Sequence, residues 1–421
     1  MASGTSAFPA PATDVAPRHD TAPTSSKDAA LEDPAFYTVH DRDAASADFR
    51  KHFLEFMVVG GATLLLFPLS WLVRRTFGLD PAEYAVGFTT FYAAYVVNDP
   101  HFAVTYLLFY KDVGRRATSD DYPLTYRVRY WIAGFAGPAL LVAWALSAIV
   151  NRSAESLGAM VQLMYLLVGW HYVKQGFGVL AVLSARRGIR ITTRERRVIL
   201  AHCFAGWAYA WASPAGPPGE FEEKGVVYHA LGHPRSIEMI TGAVLAATTV
   251  ALVAVLAARW RSERRLLPLA PLTGLLVTIW SWTVFSSADR LVQYMIPALH
   301  SIQYLYFVGL MKQSEARAAE GPPLFGRPAA VRVGFLAVSA LALGFVLFHG
   351  APAVFDGLFT PRKARGALPE AMGPTPFFAA IFVIVNVHHY LMDHVIWRRD
   401  NPETRYLRET AAAPVPSTQR A

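Results

Sequence analysis

Residues 375–397 read TPFFAAIFVIVNVHHYLMDHVIW and leave through Arg398 and Arg399. The run is long enough to cross a hydrocarbon core, which takes about 20 helical residues. Yet its second half carries Asn386, His388, His389, Asp393 and His394. Ionisable groups at membrane depth are costly, and where they occur they mark a site. Three other apolar stretches repeat the pattern: Asn98-Asp99-Pro100-His101, Trp170-His171-Tyr172-Val173-Lys174-Gln175 and Pro297-Ala298-Leu299-His300-Ser301-Ile302-Gln303-Tyr304.

The chain as a whole fits this reading. Of its 421 residues, 53% are hydrophobic and only 17% charged, against about 25% in soluble domains. The expected class is therefore an all-α, polytopic transmembrane bundle. Ten spans are predicted: 53–73, 83–110, 130–150, 156–185, 197–213, 236–258, 267–287, 291–311, 331–349 and 375–397. Residues 1–46 and 409–421 read as disordered tails around a transmembrane domain at 47–408, and the N-terminal stretch lacks the apolar core of a signal peptide.

The net charge of +8 does not indicate nucleic acid, because its basic residues cluster beside apolar segments. Arg50, Lys111, Arg115, the arginines from Arg186 to Arg197, Arg259 to Arg265, Lys312, Arg317, Arg398 and Arg399 fall on one side. Opposite them lie Arg74, Arg75, Arg152, the loop at 214–235, and 350–374 with Arg362, Lys363 and Arg365. The positive-inside rule then predicts a plasma-membrane protein with both termini cytoplasmic.

Under this orientation the four histidine-bearing spans all run inward. Their histidines lie roughly 14 to 22 Å above the inner edge, a spread that tilt and kinks absorb. Helical phase groups Asn386, His389, Tyr390, Asp393 and Trp397 on one face, with His388 turned away and His394 at the margin. It likewise groups His171, Lys174, Gln175 and Gly178, then Gln293, Pro297, His300, Gln303 and Tyr304, and finally Asn98, His101 and Thr105, with Asp99 opposite. Pro100 and Pro297 are expected to kink their helices where these polar residues sit. Span 236–258 has no histidine and is expected at the periphery.

Imidazoles from separate helices suit a metal. The predicted ligands are His101, His171, His300, His389 and Asp393, although Asp393 can alternatively orient a histidine or pair with Lys174. Lys174, Gln175, Gln303, Tyr304 and Tyr390 are candidate catalytic or supporting groups. Cys203 is the only cysteine, which excludes internal disulfides and multi-thiolate sites. Non-haem iron is the preferred metal, with zinc or copper as options, acting oxidatively on a membrane-dissolved lipid or isoprenoid.

The layout over residues 90–397 resembles the histidine-rich polytopic membrane oxygenases, particularly the Brp/Blh-type β-carotene cleavage family. That resemblance implies non-haem iron held by histidines from several membrane helices, and it transfers no individual residue role. The histidine boxes of di-iron desaturases are absent. Competing readings are a proton-coupled transporter using buried His, Asp and Lys, a haem protein with room made by Gly169, Gly176 and Gly178, and an acyltransferase with one histidine as base. Asp99 is expected to cap the Pro100 break, His388 to pack, and Glu55 with His52 to form an interfacial cap. Trp71 and Trp397 are expected in an aromatic belt, and His229 and His233 to decorate the surface.

Overall fold

A computed structural model describes residues 39–408, apart from 214–218, 265, 287, 321–325 and 361–371. The chain divides into two units, residues 1–49 and 50–421, and the site lies wholly in the second. In the first unit the chain is helical from Val39, within the helix Val39–Phe56, so the tail expected over 1–46 is helical in its last residues. The rest of that tail, the tail at 409–421, and Arg362, Lys363 and Arg365 lie outside the described residues.

Every one of the ten expected segments falls on a helix. These are α1 (residues 39–77), α2 (79–110), α4 (Leu124–Val150), α5 (Ala154–Arg186), α6 (Thr193–Ala212), α7 (Arg235–Glu263), α8 (Leu269–Val284), α9 (Arg290–Glu320), α10 (Ala329–Phe359) and α11 (Pro376–Ile396). Short α3 (Val113–Thr118) lies between α2 and α4. Six helical stretches are long and apolar enough to cross a membrane: Asp48–Phe77, α4, α5, α7, α10 and α11. They mark the chain as a membrane protein. Helices α2 and α9 are not among the six, although both carry site histidines. In α11, 72% of the most apolar window is buried, against 11% in α7. So α11 is a central rod and α7, packed on α6, is peripheral as expected.

Two expected loops are partly ordered structure. The loop at 214–235 contains a hairpin, β1 (Glu220–Glu223) antiparallel to β2 (Val226–His229), which packs on the start of α5. The loop expected from residue 350 begins later, because α10 continues to Phe359. Asp356 near that end accepts hydrogen bonds from the backbone N–H groups of Phe377 (3.0 Å) and Phe378 (2.9 Å), and so caps α11 from a neighbouring helix.

Proline placement explains much of the helix irregularity. Pro100, Pro138 and Pro352 each follow a π-helical turn by two residues, the turns being Ala94–Asn98, Ile132–Ala136 and Val346–Gly350. A proline lacks an N–H and clashes with the carbonyl of the preceding turn. Widening that turn relieves both problems without ending the helix. In α1 the break is sharper: Gly60 has φ of 151°, and a Cβ there would meet the Gly274 backbone of α8 at 3.2 Å. Only glycine tolerates both the conformation and the approach.

Apolar clusters close the bundle on either side of the histidine layer. One joins Leu108, Phe109, Tyr130, Leu183, Met311 and Ile396. The other joins Leu157, Met160, Val161, Met164, Val383 and Val387.

Candidate metal centre

His101 on α2, His171 on α5, His300 on α9 and His389 on α11 converge in the interior and are 1%, 5%, 3% and 0% exposed. One ring nitrogen from each can be chosen so that all four lie within 4.8 Å of one another. Tetrahedral metal–nitrogen bonds of 2.0–2.1 Å place nitrogens about 3.4 Å apart, so the widest pairs would close by up to about 1.4 Å around an ion. The layer read from the sequence therefore exists, and it could hold a metal ion.

The hydrogen bonds fix how at least one ring faces the centre. Ser301 Oγ donates its one proton to Asn98 Oδ1 at 3.1 Å and lies 3.2 Å from His101 Nδ1. With that proton committed, the hydroxyl can only accept, so His101 is protonated on Nδ1. Its Nε2 is then a bare lone pair, buried and without a partner among the described residues. His300 Nδ1 and both nitrogens of His389 are also buried without partners there. His171 and His300 approach Nε2 to Nε2 at 3.1 Å. Buried polar atoms ordinarily have partners, so this concentration of orphans is exceptional.

Asp393 sits at the edge of the cluster. Its Oδ1 accepts from the Tyr304 hydroxyl (2.7 Å) and the Trp397 indole N–H (3.1 Å). Its Oδ2 lies 3.5 Å from His389 Nε2 and 3.7 Å from His171 Nδ1. This is the arrangement in which a carboxylate orients a metal-binding imidazole. The Trp397 indole N–H is spent on Asp393, as expected of a residue on the same face of α11. Trp71, 51% exposed, keeps its place at the surface.

The candidate supporting residues divide. Tyr304 belongs to the centre, with its hydroxyl also 2.7 Å from Thr105 Oγ1 and its ring 4.4 Å from that of His101. Tyr390 stacks on His171 at 4.8 Å while its hydroxyl donates back to Asn386, so it walls the site with its ring. Gln175 donates to Gln303 Oε1 (2.7 Å) and the His300 carbonyl (3.2 Å), and Gln303 donates to the Val59 carbonyl. Val59 lies at the Gly60 break, so the glutamine pair satisfies backbone freed by a kink and turns away from the imidazoles. Lys174 is also turned away: its Nζ meets His394 Nδ1 at 2.6 Å and lies over the Trp170 ring at 4.6 Å. No ion pair joins it to Asp393 among the described residues.

Several neighbours behave differently from expectation. Asp99 does not cap the break at Pro100. Its Oδ2 pairs with His349 Nε2 of α10 at 2.8 Å, because Gly344 lets α10 ride directly against the Asp99 backbone. Gln293 and Pro297 are exposed, since the buried face of α9 around the proline is apolar: Val292, Met295, Ile296 and Leu299. Glu55 pairs with Arg187 and accepts from Tyr306, where only an interfacial cap was expected. His388 packs between the Tyr106 and Tyr110 hydroxyls at 3.1 and 3.3 Å, away from the cluster as its phase predicts.

His229 is exposed and His233 half-buried against Trp211, and neither belongs to the cluster. His229 pairs with Glu155 at 2.6 Å, and the hydrogen bond to that carboxylate raises its pKa above the ordinary value.

Sequence reasoning missed Ser301. It lies one position off the histidine stripe, and its only signal was a small hydroxyl beside His300 at a helix contact. Comparison with protein-family models, with curated proteins and with solved structures found no match.

Proposed function

We propose that this chain is a membrane metalloenzyme in which His101, His171, His300 and His389 hold one transition-metal ion. The observation that carries the reading is the convergence of four buried imidazoles, three of which leave at least one ring nitrogen without a hydrogen-bond partner among the described residues. An all-imidazole set suits iron, copper or zinc. Iron is preferred because the bundle layout resembles that of membrane non-haem iron oxygenases, and the substrate class is a lipid or isoprenoid dissolved in the bilayer. Both termini face the cytoplasm in this proposal, since the basic residues gather at one end of the bundle.

Bound iron would supply dioxygen activation. The protein's own residues supply the rest. Ser301 and Asn98 hold His101 in the tautomer that presents Nε2. Asp393, anchored by Tyr304 and Trp397, faces His171 and His389; it orients them, and its Oδ2 is the fifth candidate ligand. The rings of Tyr390 and Tyr172, the latter 4.4 Å from His300, exclude water around the imidazoles. Tyr304 keeps a proton at the phenol oxygen, shared with Asp393 and Thr105.

A haem is the weaker reading. Axial histidines must face each other across a macrocycle, and here two further imidazoles stand within the same cluster, where the macrocycle would lie.

Detergent-purified protein should contain about one metal ion per chain, mostly iron, by elemental analysis. Each of H101A, H171A, H300A and H389A should insert in the membrane and lose most of it. Full metal content in all four variants, or none in the wild type, removes the proposal. Dioxygen uptake by iron-loaded protein on adding a carotenoid or unsaturated lipid tests the enzymatic half.

A further inference from the structure

One turn beyond His171 and one residue beyond Asp393, three nitrogen-bearing side chains meet, and neither Lys174 nor His394 has a carboxylate within ion-pair distance among the described residues. Lys174 Nζ lies 2.6 Å from His394 Nδ1, and Arg398 Nη1 lies 3.4 Å from His394 Nε2. Both cations are obligate donors. A neutral imidazole offers one bare nitrogen and an imidazolium none, so His394 cannot accept from both. One donor is always left over.

The neighbouring cations are treated differently. Arg116 is paired with Glu403, Arg187 with Glu55, Lys312 with Glu315 and Arg259 with Glu195. Lys174 has no carboxylate within ion-pair distance among the described residues. Arg398 has one distant carboxylate: Asp400 Oδ1 lies 3.8 Å from its Nε, while Arg129 holds the other oxygen, Oδ2. Asp393 is already engaged by Tyr304 and Trp397.

We infer that Lys174, Arg398 and His394 form a subsite for the oxyanion head, carboxylate or phosphate, of an amphiphilic substrate. Such a head gives both cations acceptors at once, and charge-assisted bonds to it are the strong kind. Trp170 forms one wall, 4.6 Å from Lys174 Nζ and 5.3 Å from the His394 ring. Lys174, His394 and Arg398 are each half-buried, so a ligand can reach them. A helical turn rises about 5.4 Å, so a head held here places the first carbons of its tail beside the imidazole layer. The assignment of this ligand as substrate rests on the proposed metal centre; the anion subsite itself does not.

The test uses metal-loaded protein in phosphatidylcholine nanodiscs, with labelled oleate as probe. Oleate should bind, and K174Q and R398Q should each weaken it about tenfold or more, as expected for losing a charged hydrogen bond. K174R should retain most of the affinity. Metal content and thermal unfolding of these variants should match the wild type, which separates lost binding from lost folding. Displacement of oleate by phosphatidylglycerol supports the same subsite with a phosphate head. Oleyl alcohol binding as tightly as oleate, inorganic phosphate binding as tightly as oleate, or unchanged oleate binding in both K174Q and R398Q overturns the inference. Loss of oleate binding in K174Q from a wild type that holds no metal leaves the subsite standing and removes only the metal reading.

Discussion

Two regions of this bundle bury polar groups, and they do so in opposite ways. At the basic end, each strongly buried cation meets an anion: Arg116 is 2% exposed and paired with Glu403, while Lys312 reaches Glu315 and, at 3.5 Å, Glu403 as well. In the histidine layer, four rings more deeply buried than most of those ions turn toward one another, and several nitrogens are left without partners. A structural network satisfies itself because unpaired buried groups cost about 1–3 kcal/mol each. A site that accepts that cost is shaped for something it binds.

The largest effect should come from breaking the layer. Metal binding at structural zinc sites contributes about 10 kcal/mol or more to folding, which shows how large such an effect can be. Stripping the metal with a strong chelator should therefore lower the unfolding temperature of the wild type sharply, by differential scanning fluorimetry in detergent. H389A should unfold at one temperature with or without the chelator. A wild type indifferent to chelation would place both regions in the same self-satisfied class.

Next in size is the converse experiment. R116A removes one of the two cations on Glu403, which keeps Lys312 at 3.5 Å, so the loss should fall below the cost of a fully orphaned buried pair, about 3–5 kcal/mol. Thermal stability should fall while metal per folded chain stays at the wild-type value. Loss of metal in the folded fraction would show that the two regions are coupled.

This contrast also explains what could be read from the sequence. Rod positions and the histidine layer were legible because both are properties of single helices: apolar length, and the depth of one residue along a 1.5 Å rise. His389 and His388 were separated correctly because phase alone sends one inward and the other toward Tyr106 and Tyr110. Gln175 and Gln303 each shared a stripe with a histidine, yet Gln175 holds Gln303, and Gln303 serves the Val59 carbonyl, which lies at the break of α1 at Gly60 against α8. No pattern within α5 or α9 reports a kink in another helix. Asp99 went astray for the same reason, since its partner, His349, is chosen by which helices touch.

A smaller pair of substitutions sharpens the comparison inside the layer itself. S301A removes the acceptor that holds His101, and losses of this kind weaken metal affinity about 10–100-fold. Q303L leaves the Val59 carbonyl unsatisfied and should cost about 1–3 kcal/mol in stability with metal affinity kept. Metal titration and thermal unfolding of the two proteins should give opposite patterns. The same pattern from both would mean that the hydroxyl and the amide do one job.

The smallest effect lies at the far end, where His229 and Glu155 tie the hairpin to α5. The Glu155 carboxylate raises the folded-state pKa of His229, so the protonated ring is favoured on folding. The contribution is complete below the unfolded value of about 6.5 and is lost as pH rises through the higher folded value. Both groups are exposed, so the pair is screened and weak. Amide exchange in β2 should therefore be slower below about pH 6 than above pH 8, once the intrinsic pH dependence of exchange is removed, and H229Q should abolish the difference. Chelation should leave this profile unmoved, because the hairpin's anchoring is self-contained. A chelator-sensitive profile would extend the influence of the imidazole layer to the far end of the bundle.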